Sequence, residues 1–484
     1  MSAGEARVGW AAVPPSPPRV AHRALRAPSL ATARDGRWDG RWDVGRAGRH
    51  AERRRRRTVA HLARQLTGPR ASAPWATPTG AGGDCRPPAV APRAAPSVAL
   101  ALALALALAL LLPACAPAPP ADPPPHRQIT FPTATWPRAT PAQVGLSPTL
   151  LDSALAYLQA HSGADGLRQT AVVKDGYLVY AGAQVDTAHN IYSCTKGLTS
   201  AVAGVLQARG TLSLDDRAAQ YEPVLAEAYP QVTLRHFATM TSGYSAEGVS
   251  RWDEPSEDWG WTPYVPAEPY FPPSTAYAYW DEAQMMYGRV LTQALQDDIY
   301  GVLDEAVMAP IGITDWDWDT EGQLSLKPGD TIPVRNGCTG IRLDALELAR
   351  IGWLFANGGV WDGDTLLPPD FVREMTTAQV PASLPVGPTD RAGVEGPGVF
   401  GYGWWTASPA GGGAHAMPDA PADAAYLSGF NHNVCYVAPS QGLVVVRMGE
   451  DGNPPEGKHA VWNGVARRLT AAMTQPEGRA NAEE

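Results

Sequence analysis

The sequence predicts an α+β domain: an antiparallel sheet drawing strands from both chain ends, flanked by helices, around a mainly helical middle region. Three observations predict it. Ala171-Val172-Val173-Lys174 and Tyr177-Leu178-Val179-Tyr180 flank Asp175-Gly176, a dipeptide suited to the positive φ angles of a tight hairpin turn. Near the other end, Asn433 to Val437 and Leu443 to Met448 flank the turn Pro439-Ser440-Gln441-Gly442, and a helical pattern follows over Ala460 to Met473. Between them, Thr195 to Arg209 has helical spacing and stops at Gly210, a residue suited to a helix C-terminus.

Length and composition frame this domain. The chain has 484 residues, 44% apolar and 18% charged, with 16 Trp, which accommodates one large globular domain plus targeting sequence. Its net charge of −9 joins two unlike parts: residues 1–94 sum to +12 and the remainder to −21. An acidic body of that size disfavours nucleic acid as a partner, because phosphate binding needs clustered Lys and Arg. The basic run Arg53 to Arg57 lies upstream of an export signal and is not read as a nucleic-acid arm.

That signal spans residues 95–115. Arg86 and Arg93 precede an unbroken Ala/Leu run that ends in Leu112-Pro113-Ala114-Cys115. The run is shorter than the roughly 20 residues a membrane span needs, so the pattern is that of a lipoprotein-type signal peptide with Cys115 as lipidation site. A plain signal peptide or an uncleaved helix is the alternative. Residues 1–94 are then an extension, either disordered or a start site placed too far upstream. Residues 116–131 form a Pro/Ala-rich tether, 132–475 the folded domain and 476–484 a tail. The expected location is the cell envelope, with membrane attachment through a lipid. With Cys115 lipidated, Cys194, Cys338 and Cys435 remain in the domain, an odd number that reads as buried free thiols.

The chemistry concentrates at Ile191-Tyr192-Ser193-Cys194-Thr195-Lys196-Gly197. On a helix, residues three apart share a face, so Ser193 and Lys196 fall within hydrogen-bonding reach. A serine hydroxyl is a weak nucleophile at neutral pH and needs an adjacent base, which a desolvated Lys supplies. The chain contains only four Lys, and this is its one Ser-x-x-Lys, which weakens the reading of a chance surface pair. A second segment follows: Pro273-Ser274-Thr275-Ala276-Tyr277-Ala278-Tyr279-Trp280-Asp281, leading into Met285-Met286-Tyr287-Gly288.

Together these segments resemble the β-lactamase and penicillin-binding-protein family, in particular class C β-lactamases and related esterases. The second segment resembles their Tyr-x-Asn box. Gly210-Thr211-Leu212-Ser213-Leu214-Asp215-Asp216, Leu234 to Gly243 and Leu346 to Gly359 resemble scaffold stretches of the family, over nearly all of residues 135–470. The resemblance implies a β-lactamase/DD-peptidase-like fold, Ser193 as acyl-forming nucleophile, and Lys196 and Tyr279 as its proton-transfer partners. It implies no cofactor and a small-molecule substrate. His236 is assigned a structural role.

Two departures from the pattern bear on function. Asp281 stands where Asn is usual and exchanges an amide for an anion, which favours the charged form of a nearby Lys196. The third motif, Lys-Thr-Gly in β-lactamases, is best matched by Leu427-Ser428-Gly429, with His432 as a rival anchor in a slipped register. This register lets the backbone N–H of Phe430 join that of Ser193 as an oxyanion hole. Leu427 offers no charge for the carboxylate that β-lactam and D-alanyl-D-alanine ligands carry. An ester or small amide is therefore the expected substrate, with Arg342 a possible replacement cation. A β-lactamase or D-alanyl-D-alanine carboxypeptidase, and a catalytically silent ligand-binding lipoprotein, are the alternatives. The Trp- and Tyr-rich stretch from Tyr244 to Phe271, including Trp252, Trp259, Trp261 and Tyr264, reads equally as cleft wall or loop packing. Asp315, Asp317 and Asp319 alternate like the start of a calcium loop, but the required Gly is absent and no metal site is expected.

Overall fold

Asp175 and Gly176 take φ of 54° and 86°, so the chain reverses within two residues and joins β1 (Gln169–Lys174) to β2 (Tyr177–Ala181). The computed structural model containing this turn describes residues 129–247, 262–387, 396–409 and 416–474. The extension 1–94, the signal 95–115 with Cys115, Trp252, Trp259, Trp261 and the tail 476–484 lie outside the described residues.

Late in the chain come β3 (Trp405–Thr406), β4 (Ala425–Gly429), β5 (Asn433–Ala438) and β6 (Leu443–Met448). The six strands form one antiparallel sheet in the order β3-β4-β5-β6-β1-β2. Its central pairing is β1 with β6, from Gln169 opposite Met448 to Lys174 opposite Leu443, so the sheet closes with strands from both ends of the domain.

Alternation along the strands sends side chains to two cores. On one face α1 (Pro148–Ala160) and α5 (Lys458–Thr474) pack Leu151, Leu158, Trp462 and Val465 over Val172, Val434 and Val445. On the other, α2 (Thr195–Ala208) and α4 (Ala345–Ala356) pack Leu198, Leu348 and Ile351 with Val173, Val437, Val444 and Val446. Each fully buried side chain of this kind stabilises by about 1.5–3 kcal/mol relative to exposure. Every residue of α2 from Thr195 to Leu206 is buried, the mark of a helix enclosed on all sides. The helical middle supplies α3 (Asp281–Leu295), which faces α2 across the site.

The fold begins earlier than the expected boundary at 132. Thr130 donates its backbone N–H to the Asp175 carbonyl, and its own carbonyl accepts from Trp353 Nε1 at 3.0 Å. Phe131 packs against Trp353 and Trp361. These two residues belong to the domain, because an aromatic ring and two backbone groups find partners there. His236 closes a capping box with Thr233 and meets Ser274 Oγ at 2.8 Å, a scaffold role. Cys194, Cys338 and Cys435 are buried and free. Among the described residues no helix is long and apolar enough to cross a membrane.

Candidate active site

The segment carrying Ser193 is built on a strained turn. Tyr192 takes φ of 50°, unusual for a residue with a side chain and costing on the order of 1–3 kcal/mol. The turn is held from outside: Asn190 Oδ1 accepts from the backbone N–H groups of Tyr192 at 2.7 Å and Gly340 at 3.1 Å. A single 3-10 turn, Tyr192–Cys194, then hands the chain to α2. Ser193 is left half-buried at the N-terminal end of this helix, where the helix dipole favours negative charge.

Lys196 lies one turn further on and is 1% exposed. Its Nζ donates to Ser193 Oγ at 2.9 Å, Asp281 Oδ1 at 2.7 Å and the Cys338 carbonyl at 3.2 Å. Three donors meet three acceptors, so the ammonium form is fully satisfied. Burial alone pulls the lysine down. The charge of Asp281, followed by contributions from Tyr279 and Cys338, outweighs burial and holds it above its ordinary value.

Tyr279 reaches the same pair from the loop before α3. The loop is fixed by backbone bonds from Tyr277 to Pro385 and from Ala278 to Met240. The Tyr279 ring stacks on Trp405 at 5.7 Å and meets Phe400 edge-on at 6.1 Å, while the Lys196 ammonium sits 4.8 Å from its centre. Burial raises the phenol, the Lys196 charge lowers it, and hydrogen bonding to Ser193 and Lys196 pulls the same way as that charge. Burial prevails, so the hydroxyl stays protonated beyond the ordinary tyrosine range. Asp281 opens α3 and aims at Lys196, so the departure from the amide of the family pattern acts directly on the lysine.

Strand β4 supplies the third wall. Gly429 passes so close to the turn before Ser193 that a Cβ there would lie 2.2 Å from the Ile191 carbonyl oxygen, which only glycine permits. The rings of Phe430 and Tyr192 meet edge to face at 5.7 Å. Gly429 and Phe430 thus lie against Ile191 and Tyr192, the two residues before Ser193. His432 is fully buried on the far side, where its Nε2 accepts from Trp462 Nε1 at 3.1 Å, and does not compete for the role.

Of the two expectations about charge, the one for Leu427 stands and the one for Arg342 is corrected. Leu427 is buried against α2, where its Cδ2 occupies the space beside Gly197, and carries no charge into the site. Arg342 does not replace the missing cation, because Asp319 Oδ1 engages it at 2.9 Å on an exposed face. Lys458, the first residue of α5, does reach the motif, but it is engaged by the motif itself. Its Nζ donates to Ser428 Oγ at 3.0 Å and to the Gly429 carbonyl. Burial brings this ammonium down to about 8. The sequence signal was present, since Lys458 is another of only four lysines, but its nearness to β4 is a tertiary fact. Among the described residues no group of His, Cys, Asp or Glu is arranged to hold a metal ion.

A sheet closed by both ends of a domain, with a serine at the head of a buried helix beside it, is the architecture of serine hydrolases of the β-lactamase and penicillin-binding-protein class. The chain belongs to the Beta-lactamase family, whose model matches residues 151–467. Among solved structures it is similar to a penicillin-binding protein homologue from Caulobacter crescentus. That similarity has a TM-score of 0.50 at 18% identity and covers 68% of this chain and 99% of the other. It is also similar to a simvastatin synthase mutant from Aspergillus terreus, with a TM-score of 0.50 at 18% identity over 69% of this chain and 99% of that one. At such identity the likeness is one of fold. No curated protein matches the chain.

Proposed function

We propose that this domain is a serine hydrolase that acts on an ester or small amide through an acyl-enzyme on Ser193. The observation that carries the reading is the Lys196 ammonium, shared between Ser193 Oγ at 2.9 Å and Asp281 at 2.7 Å inside a buried site. In the form of the site from which the Lys196–Tyr279 pair has lost one proton, Ser193 Oγ attacks the substrate carbonyl carbon and its own proton passes to the Tyr279 oxygen. The C–O or C–N bond then breaks and the proton moves on to the leaving alcohol or amine. Water repeats the sequence on the Ser193 ester, releasing the acid and returning the proton to Ser193. Lys196, held as a cation by Asp281, stabilises the Tyr279 phenolate during each transfer and donates to Ser193 Oγ. The backbone N–H groups of Ser193 and Phe430 bind the oxyanion.

A buried Leu427 favours ester or amide over β-lactam and D-alanyl-D-alanine substrates, whose carboxylate it cannot pair. The silent-binder alternative is disfavoured by the intact linkage of Ser193, Lys196 and Tyr279. Hydrolysis of an ester, amide and β-lactam panel by the wild-type domain and by Ser193→Ala tests the reading. Ester or amide turnover lost in the variant is expected, and equal turnover in both would overturn it.

On the sequence alone we also propose export and lipid attachment at Cys115. Cys115→Ser is expected to move the protein from the membrane to the soluble fraction. Unchanged partitioning would contradict this.

A further inference from the structure

We infer that Lys458 is a positioning residue for the oxyanion site, its ammonium orienting and polarising the Gly429–Phe430 peptide whose N–H is the proposed oxyanion donor. The inference rests on the Ser193 reading above. It differs from a substrate-binding role, because Lys458 acts through the backbone and not on the substrate.

The Gly429 carbonyl and the Phe430 N–H belong to one conjugated planar unit. A cation on the oxygen draws electron density from the nitrogen and makes its N–H a stronger donor, as hydrogen-bonded chains polarise one another in a low dielectric. Lys458 is in place to do this. It donates to the Gly429 carbonyl and, at 3.0 Å, to Ser428 Oγ, so it clamps the two residues that precede the N–H. The clamped peptide rests on the nucleophile turn, with Gly429 directly against the Ile191 carbonyl. Among the described residues no carboxylate lies within ion-pair distance of Lys458. Its charge is therefore spent on these dipoles.

The surroundings leave Lys458 as the group that titrates near neutrality. Burial and the Arg447 charge lower it, Cys194 opposes them, and the outcome is about 8. Facing it, burial holds the Cys194 thiol up at about 12. Burial keeps His432 neutral down to about 3 and His459, the next residue on α5, down to about 4. Arg447 on β6 stays charged. Lys196 and Tyr279 are both raised.

The infrared carbonyl band of the acyl-enzyme, formed with a slowly deacylating ester, reads the oxyanion site directly, since stronger donors lower its frequency. In Lys458→Met the band is expected to move to higher wavenumber. The kcat should fall about tenfold, below the loss from deleting an oxyanion donor outright, with KM within about threefold. Lys458→Arg, which keeps a cation, should recover part of both changes. An unmoved band in Lys458→Met, or a loss carried wholly by KM, would overturn the inference. Titrating the wild-type acyl-enzyme from pH 6 to 10 makes the same test without a variant. The band should shift upward with a midpoint near 8, and a flat band would overturn the inference even where Lys458→Met does not fold. Failure of the wild type to form any adduct on Ser193 would instead sink the Ser193 reading, and this inference with it.

Discussion

The carboxylate of Asp281 stands 2.7 Å from the Lys196 ammonium, on the nitrogen that also stands 2.9 Å from Ser193 Oγ. Asp281 is the first residue of α3 and Lys196 lies in the first turn of α2, so the contact ties two helices at the Ser193 hydroxyl. A buried lysine left to itself loses its proton easily, and here the anion reverses that tendency.

Asp281→Asn removes the anion and leaves burial as the dominant influence, so Lys196 should become neutral at lower pH. Activity that requires loss of a proton from the Lys196–Tyr279 pair then appears at lower pH. The acidic limb of kcat/KM is expected to move towards lower pH with substantial activity retained. Each unit of movement corresponds to about 1.4 kcal/mol of differential interaction. A pH profile that superimposes on the wild type would contradict the linkage.

Tyr279→Phe deletes the proposed proton carrier and keeps the stacked ring. A fall in kcat of about 10²–10⁴-fold is expected. The melting temperature should change little, because the contacts with Trp405 and Phe400 persist. Steady-state kinetics and a thermal melt on the same preparation check both parts.

Gly429→Ala places a Cβ against the Ile191 carbonyl, and a backbone oxygen cannot rotate aside. Strand β4 must move away from the nucleophile turn. Misplacement by about 1 Å costs roughly 100-fold in rate, and the crowding costs about 1–3 kcal/mol of stability. Both kcat/KM and a denaturant midpoint should fall.

Arg350→Met tests the scaffold apart from the chemistry. The Arg350 guanidinium is buried and donates to the carbonyls of Pro132, Thr133, Ala134 and Ile311, tying residues 132–134 and Ile311 to α4. Charged hydrogen bonds contribute about 1.5–3 kcal/mol each, so a loss of about 3 kcal/mol is expected on denaturant unfolding. The folded fraction should still react at Ser193.

How much of this was legible beforehand follows the range of the forces involved. The Asp175-Gly176 hairpin, the helix after Ser193 and the 433–448 hairpin are encoded within a dozen residues by turn chemistry and periodicity. The structure reproduces each of them. The spacing of Ser193 and Lys196 carried its own geometry, and the reach of Asp281 to Lys196 came with the motif. What escaped depends on tertiary contact. Lys458 leads an otherwise ordinary terminal helix, and nothing local to it signals β4. Arg342 looked available because Asp319, its partner, sits on a different strand connection. Thr130 and Phe131 read as tether because their partners, Asp175, Trp353 and Trp361, are distant in sequence.

The central claim is most directly tested by the mass and position of the adduct that a fluorophosphonate leaves on the purified domain. One adduct per molecule, mapped to the peptide containing Ser193 and absent from Ser193→Ala, is the expected result. No adduct on a folded wild-type domain, or an adduct that survives in Ser193→Ala, would contradict the assignment of Ser193 as nucleophile.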